Sequence, residues 1–295
     1  MYLYNTLTKK KEKIEKKEVN MYVCGVTVYD RPHLGHALST ITFDVLHRFL
    51  EYKGFKVKRV QNFTDVDDKI IAKSKELNIS PKEVSEKYIR AFFEDMDSLG
   101  VRRADVHPRA TEDMNEIIEL IEDLIEKKAA YELNGSVYFD VSFSKDYGKL
   151  SRRNLNDLIE GNRIENEPDK KHHGDFALWK HAEEEETHWD SPWGKGRPGW
   201  HIECSAMVKK HLGTSIDIHG GGLDLVFPHH ENEIAQSESS TGYKPFAKIW
   251  VHNGLLKRSG DEKMSKSLGN SLDVKDALEK YSGNSIRLWI LQSHY

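Results

Sequence analysis

The sequence predicts an α/β fold, a parallel sheet carrying helices and interrupted once by an insertion. Three observations point there. Short apolar, β-branched runs alternate with longer stretches whose apolar residues recur at helical spacing. Between Gly135 and Trp200 that rhythm gives way to short-stranded, charged, turn-rich sequence, and from Ser215 it resumes. At 295 residues the chain has length for about two domains of ordinary size.

Taken in order, the first 20 residues, MYLYNTLTKKKEKIEKKEVN, mix lysine with glutamate and read as a solvated surface segment. Met21 to Val28 is apolar and β-branched, hence a strand. Asp30, Pro32 and Gly35 then punctuate, and ALSTITFDVLHRFLEYKG follows as a helix. FKVKRVQNF, from Phe55 to Phe63, alternates like a strand, and PKEVSEKYIRAFFEDMDSLG has helical spacing, so a second β-α unit is expected. In TEDMNEIIELIEDLIEKK, Ile117, Ile121 and Leu124 share one face, Ile118 and Ile125 lie beside them, and Thr111 is placed to cap the start. Beyond the insertion, SIDIHGGG is a strand, HHENEIAQSESS a helix and FAKIWV a strand. Ligands of such sheets sit beyond the carboxyl ends of the strands.

Composition limits the classes of function. Lys plus Arg number 44 against 48 Asp plus Glu, a net charge of -4, which leaves room for a polyanionic partner held by a local basic patch. Two cysteines cannot form a disulfide framework for a chain this long, so a reducing, cytoplasmic setting in which thiols serve metals or chemistry is expected. No apolar run approaches the roughly 18 residues of a membrane span, and neither a leader nor a membrane partner is expected.

Three constellations carry chemistry. In RPHLGH, His33 and His36 stand three apart at a helix start, near its positive end, where phosphate is favoured; metal binding or capping suits the same pair. Gly35 would let a ligand approach the backbone. In EKMSKSLGN, from Glu262 to Asn270, Lys263 and Lys266 are flexible point charges suited to a polyphosphate that changes shape, although a solvated loop is the plainer reading. One motif near each end of an α/β chain makes ATP the expected ligand. In HGGGLDLVFPHHENE, a strand runs into Gly220, Gly221 and Gly222, and Asp224 is placed to accept hydrogen bonds from a ribose. His229 and Glu233, four apart, project side by side. With Cys24 and Cys204 they supply two thiolates, an imidazole and a carboxylate, a complete tetrahedral zinc set. His201, His219 and His230 are rival ligands that spacing cannot separate, and either cysteine alone suits a buried inert thiol.

The segments HLGH, KMSKS, MYVCGVTVYD, TDVDDKI, GRPGWHIECSAM and HGGGLDLVFPHHENEIAQS together resemble the cysteinyl-tRNA synthetases, a family of class I aminoacyl-tRNA synthetases, from LYNTLT near the start to SHY at the end. The resemblance implies a Rossmann-like catalytic domain over residues 1–112 and 199–251, a connective insertion over 113–198, and a KMSKS loop with a helical, stem-contact-like segment over 252–295. It implies an ATP-dependent, AMP-forming ligase that joins L-cysteine to tRNA(Cys). Cys24, Cys204, His229 and Glu233 would hold one Zn2+ that accepts the substrate thiolate. His33, His36, Lys263 and Lys266 would be catalytic; His33, Gly35, His36, Gly222, Asp224 and Lys266 would bind ATP with its Mg2+. Gly25, Thr64 and Trp200 would surround the amino acid, although a tryptophan between glycine and histidine also suits simple packing. Metal–sulfur bonding separates cysteine from serine where a shape-based pocket discriminates weakly.

The family continues beyond the point matching Tyr295 into a helical anticodon-binding domain. This chain is therefore expected to lack that domain and to meet tRNA mainly at the acceptor stem, through basic residues such as Arg152, Arg153 and Lys257, as a monomer. Two alternatives remain at this point: a cysteine-activating ligase with an amine acceptor, as in mycothiol synthesis, and a non-catalytic paralogue that senses cysteine or binds RNA.

Overall fold

The computed structural model describes residues 1–153, 169–256 and 272–292; Lys257 and the loop with Lys263 and Lys266 lie outside the described residues. The chain opens with a hairpin, β1 (Tyr2–Asn5) antiparallel to β2 (Lys10–Lys13). The expectation of a solvated segment is corrected here, because Leu3, Asn5 and Ile14 are buried. Every second residue of β1 turns inward, a period of two that the adjoining lysines obscure in the sequence.

Then come β3 (Glu18–Thr27), α1 (Leu34–Tyr52), β4 (Lys56–Thr64), α2 (Asp68–Leu77) and α3 (Pro81–Ser98). β3 and β4 are parallel with α1 between them, as the β-α spacing predicts. α2 has no counterpart in the sequence reading, since its apolar face is slight and buries only Ile70 and Ser74. α3 starts with a capping box, Ser80 with Glu83, and Pro81 in its first turn. α4 (Met114–Glu126) buries Ile117, Ile121 and Leu124 as expected. Thr111 does not cap it: both its N–H and its hydroxyl donate to the Asp65 carboxylate, a charged acceptor that outcompetes a helix end.

A second sheet is antiparallel throughout, in the order β5 (Ala130–Leu133), β6 (Ser136–Phe139), β7 (Phe176–His181) and β8 (Gly196–Pro198). The chain then returns through α5 (Trp200–Leu212), β9 (Ile216–Gly222), α6 (Glu231–Thr241) and β10 (Ala247–Asn253), and the described residues end with α7 (Val274–Leu278) and α8 (Gly283–Leu291). No helix among them is long and apolar enough to cross a membrane.

The main sheet has the order β10-β9-β3-β4 and is parallel throughout. Met21, Tyr22 and Val23 face Ile218, His219 and Gly220 in register. All three of these β3 residues are fully buried, which explains a continuous apolar run where alternation would mark a half-exposed strand. β4 lies on one side of β3, with β9 and β10 on the other, so the connections diverge at the β3–β9 junction and leave a crevice at its carboxyl end. Both outer strands are covered. Beside β10, Thr6 N donates to Trp250 O at 2.9 Å, and the Asn5 amide accepts from Trp250 N at 3.0 Å and donates to Lys248 O at 2.9 Å. Beside β4, Gln61 N donates to Val106 O at 3.0 Å and Phe63 N to Pro108 O at 2.9 Å. α8 is tied to α1 through Asp44, a fully buried carboxylate that accepts from Arg48 Nε at 2.8 Å, Arg102 N at 3.2 Å and Arg287 Nη2 at 3.2 Å.

Candidate active site and metal centre

A cleft of about 670 Å³ opens at that carboxyl end. Eight of the residues singled out from sequence line it: Cys24, Gly25, His33, Gly35, His36, Trp200, Gly222 and Asp224. Thr64, Cys204, His229 and Glu233 are buried and do not line it. Gln61 and Asn253 also line it, to which no motif pointed, as does Lys69 of the TDVDDKI segment, which the sequence reading did not single out.

The two motif histidines form the start of α1. His33 is the N-cap; its Nδ1 accepts from Gly35 N at 3.0 Å and from His36 N at 3.3 Å, while His36 Nδ1 accepts from His33 N at 3.3 Å. The rings stack with centroids 3.8 Å apart and planes 15° apart. Capping and ligand binding are therefore not rivals for these rings. With Nδ1 an acceptor in both, each neutral ring carries its proton on Nε2, fixing the donor edge. Gly35 gains a local reason as well: a Cβ there would lie 2.8 Å from the His33 ring, so glycine lets the cap close.

The proposed metal ligands converge. β3 supplies Cys24, α5 supplies Cys204, α6 supplies Glu233, and His229 comes from the turn just before α6. Their ligand atoms lie within 4.8 Å of one another, all in buried residues. Tetrahedral zinc, with sulfur at about 2.3 Å and nitrogen or oxygen at about 2.0 Å, sets ligand separations of about 3.8 Å for sulfur pairs and about 3.3 Å for nitrogen–oxygen pairs. The structure places Cys24 Sγ 3.9 Å from Cys204 Sγ and 3.3 Å from Glu233 Oε1, and His229 Nε2 3.1 Å from the same oxygen. These separations fit zinc.

Cys24, His219, His230 and Glu233 also cluster within 4.8 Å. Contacts of hydrogen-bond length tie these histidines, and His201, to the first set. His219 Nε2 lies 2.8 Å from Glu233 Oε2, His230 Nε2 lies 3.2 Å from Cys24 Sγ, and His201 Nδ1 lies 2.9 Å from His229 Nδ1. Each rival imidazole thus orients one residue of the first set, the usual outer partner of a metal ligand. The His230 contact extends to His252 Nε2 at 2.8 Å and from His252 Nδ1 to Thr6 Oγ1 at 2.8 Å, a chain of contacts that no sequence spacing announces.

Charge fits a cation. Burial pushes the Cys24 thiol well up, whereas its hydrogen bond brings Cys204 down to about 6. Against the cost of burial, His219 and His229 hold Glu233 at about 2, and Cys204 with Glu233 raises His229 to about 10. Zinc bound here would need both thiols as thiolates and His229 as a neutral imidazole, so loading the site would release protons.

Around this centre, Trp200 begins α5 and stacks on His229 with centroids 4.3 Å apart, so it covers a proposed ligand while remaining 37% exposed. Gly25 N donates to Asn62 Oδ1 at 2.8 Å, and a Cβ there would overlap Asn62 O; close approach of β3 to β4 demands glycine. Thr64 Oγ1 donates to Glu203 Oε2 at 3.0 Å, a buried carboxyl absent from the sequence reading. Asp224 is exposed in the turn after β9. Of the basic residues expected at a tRNA surface, Arg152 Nη2 donates to Leu7 O at 3.0 Å and the Arg153 guanidinium lies 4.7 Å over the Phe227 ring.

Comparison with known proteins sets this geometry in context. Residues 10–295 match the family model described as the tRNA synthetases class I (C) catalytic domain. The cysteine–tRNA ligase of Thermodesulfovibrio yellowstonii is 55% identical over 302 residues, covering 100% of this chain and 62% of that protein. That of Carboxydothermus hydrogenoformans is 56% identical over 298 residues, covering 100% and 64%. This chain thus spans less than two thirds of the length of these relatives. Among solved structures, Mycobacterium tuberculosis methionyl-tRNA synthetase in complex with methionyl-adenylate superposes with a TM-score of 0.70 at 15% identity, over 94% of this chain and 64% of that one, which shows a shared fold.

Proposed function

Because this chain belongs to the class I (C) family of tRNA synthetase catalytic domains, we propose that it activates L-cysteine with ATP and passes the cysteinyl group to the 3′-terminal adenosine of tRNA(Cys). The observation that carries this reading is the donor set of Cys24, Cys204, His229 and Glu233, spaced for zinc where the cleft reaches Cys24. Zinc bound there would take up a thiolate and lower the pKa of a bound thiol, selecting sulfur over the oxygen of serine.

The remaining steps belong to the chain's own residues. Gly25, Thr64 and Trp200 hold the amino acid so that its carboxylate attacks the α-phosphorus of Mg-bound ATP and pyrophosphate leaves. The Nε2–H groups of His33 and His36 stabilise charge developing on the phosphates, with Lys263 and Lys266 as the mobile cations. Gly35 and Gly222 border the nucleotide, and Asp224 accepts from its ribose. A ribose hydroxyl of the tRNA terminus then attacks the adenylate carbonyl and AMP leaves. Positioning and preorganised charge suffice without a covalent enzyme intermediate. On this reading residues 113–198 are the connective insertion and 252–295 approach the acceptor stem, in a cytoplasmic monomer.

Cysteine-dependent exchange of pyrophosphate into ATP, measured with zinc and magnesium, tests activation; its absence overturns the proposal. Transfer of labelled cysteine to tRNA under the same conditions tests the acceptor. Exchange without transfer would assign the activated cysteine to another acceptor.

A further inference from the structure

Away from the cleft, Arg59 of β4 is 1% exposed. Among the described residues its guanidinium forms no ion pair: Nη2 donates to Arg102 O, and Nε and Nη1 are buried with no hydrogen-bond partner. Burial brings its pKa down to about 10, so the group stays charged at neutral pH. A buried charge with no counter-charge is costly.

The surroundings repeat the pattern. Arg102, from the segment after α3, buries Nη2 without a partner, and His47 of α1 buries Nδ1 likewise. These residues meet. Glu51 Oε2 lies 2.9 Å from Arg102 Nη1 and Glu51 Oε1 lies 3.3 Å from His47 Nε2; burial, then the Arg59 and Arg102 charges, lower the His47 pKa. The carboxylates nearby are engaged elsewhere. Glu51 holds Arg102 Nη1, Asp105 Oδ2 accepts from Arg59 N at 2.7 Å, and Asp44 accepts from Arg48, Arg102 N and Arg287.

Guanidinium nitrogens only donate, so the group that would satisfy them is an acceptor. A water accepts few hydrogen bonds and has hydrogens of its own to place, whereas an anion takes every N–H around it and offsets the charge. Enclosure between α1, β4 and the segment after α3 limits that anion to a single small ion.

We infer that Arg59, with Arg102 and His47, holds a buried, halide-sized inorganic anion that ties β4 to α1 and to the segment after α3. The site is independent of the chemistry proposed for the cleft.

The test is stability in chloride, with gluconate, too large to enter, keeping the ionic strength constant. Once chloride exceeds its dissociation constant, the folded-to-unfolded ratio from denaturant titrations should rise by up to about tenfold for each tenfold more chloride. Arg59→Met, which removes the charge and keeps the bulk, should lose that dependence. A crystal of the unmodified chain grown in bromide should show an anomalous peak in contact with Arg59 Nε and Nη1. Stability indifferent to chloride, an equal response in Arg59→Met, or water in place of bromide beside Arg59 would overturn the inference. If Arg59→Met does not fold, the bromide peak decides alone.

Discussion

Replacing His33 separates two jobs that one imidazole performs. Its Nδ1 caps α1, accepting at 3.0 Å from Gly35 N and at 3.3 Å from His36 N, while its Nε2–H is proposed to face phosphate. Serine caps a helix well but reaches no further; alanine does neither. One good and one long hydrogen bond make the cap worth about 1 kcal/mol. The reciprocal bond, His33 N to His36 Nδ1 at 3.3 Å, uses the backbone and survives either change. His33→Ala should therefore melt about 3 °C lower in a chain of this size, and His33→Ser should melt with the unmodified protein. Both should lose about 10²- to 10³-fold in cysteine-dependent pyrophosphate exchange, the scale of one preorganised donor to a developing oxyanion. Thermal melts followed by circular dichroism and the exchange assay read the two effects independently. Full exchange activity in His33→Ser would refute the role of Nε2–H, and equal destabilisation by serine and alanine would refute the cap.

Removing zinc with a chelator, or changing Cys204→Ser, should abolish the preference for cysteine over serine in exchange. The far-UV spectrum should persist, because Glu233 keeps its contacts with His219 at 2.8 Å and His229 at 3.1 Å. Stability should fall as pH drops from about 6.5 to about 4. Burial lowers His107 to about 4, and its ring is held neutral, Nδ1–H donating to Gln61 O at 2.8 Å and Nε2 accepting from Ala104 N at 3.1 Å. A depressed folded pKa gives stability present above the unfolded value and lost through the folded one, here about 3 kcal/mol, and His107→Gln should flatten that slope in denaturant titrations across pH. Asp44→Ala strands Arg287 and the Arg102 N–H, and should cost about 3 kcal/mol, read from the denaturant midpoint.

The α/β plan was legible because its signals are local. The run at Met21 to Val28, the glycine-punctuated strand before Gly222 and the helical face of Ile117, Ile121 and Leu124 each show their period within a few residues. Convergence is not local. The sequence offered His201, His219 and His230 as rivals to His229; the fold gathers all four around Cys24 and Glu233, a convergence that no spacing along the chain announces. Glu203 escaped notice because a single carboxylate within a helix has no period, and its hydrogen-bond partner, Thr64, lies on a strand far away in the chain. Thr111 misled for a similar reason: a cap is the best local use of its hydroxyl, and Asp65 from a distant segment supplied a better one.

The covering of the main sheet has a consequence for behaviour in a crowded solution. A parallel sheet with bare outer strands is a template on which a second molecule can add its own strand, the first step toward aggregates. Here the Asn5 amide bonds to β10 much as a peptide group of a further strand would, occupying Trp250 N and Lys248 O, while Val106 and Pro108 supply carbonyls to β4. The amino-terminal hairpin thus blocks association of one molecule with another at the sheet edge, and stripping that edge by Asn5→Ala would be expressed first as concentration-dependent self-association.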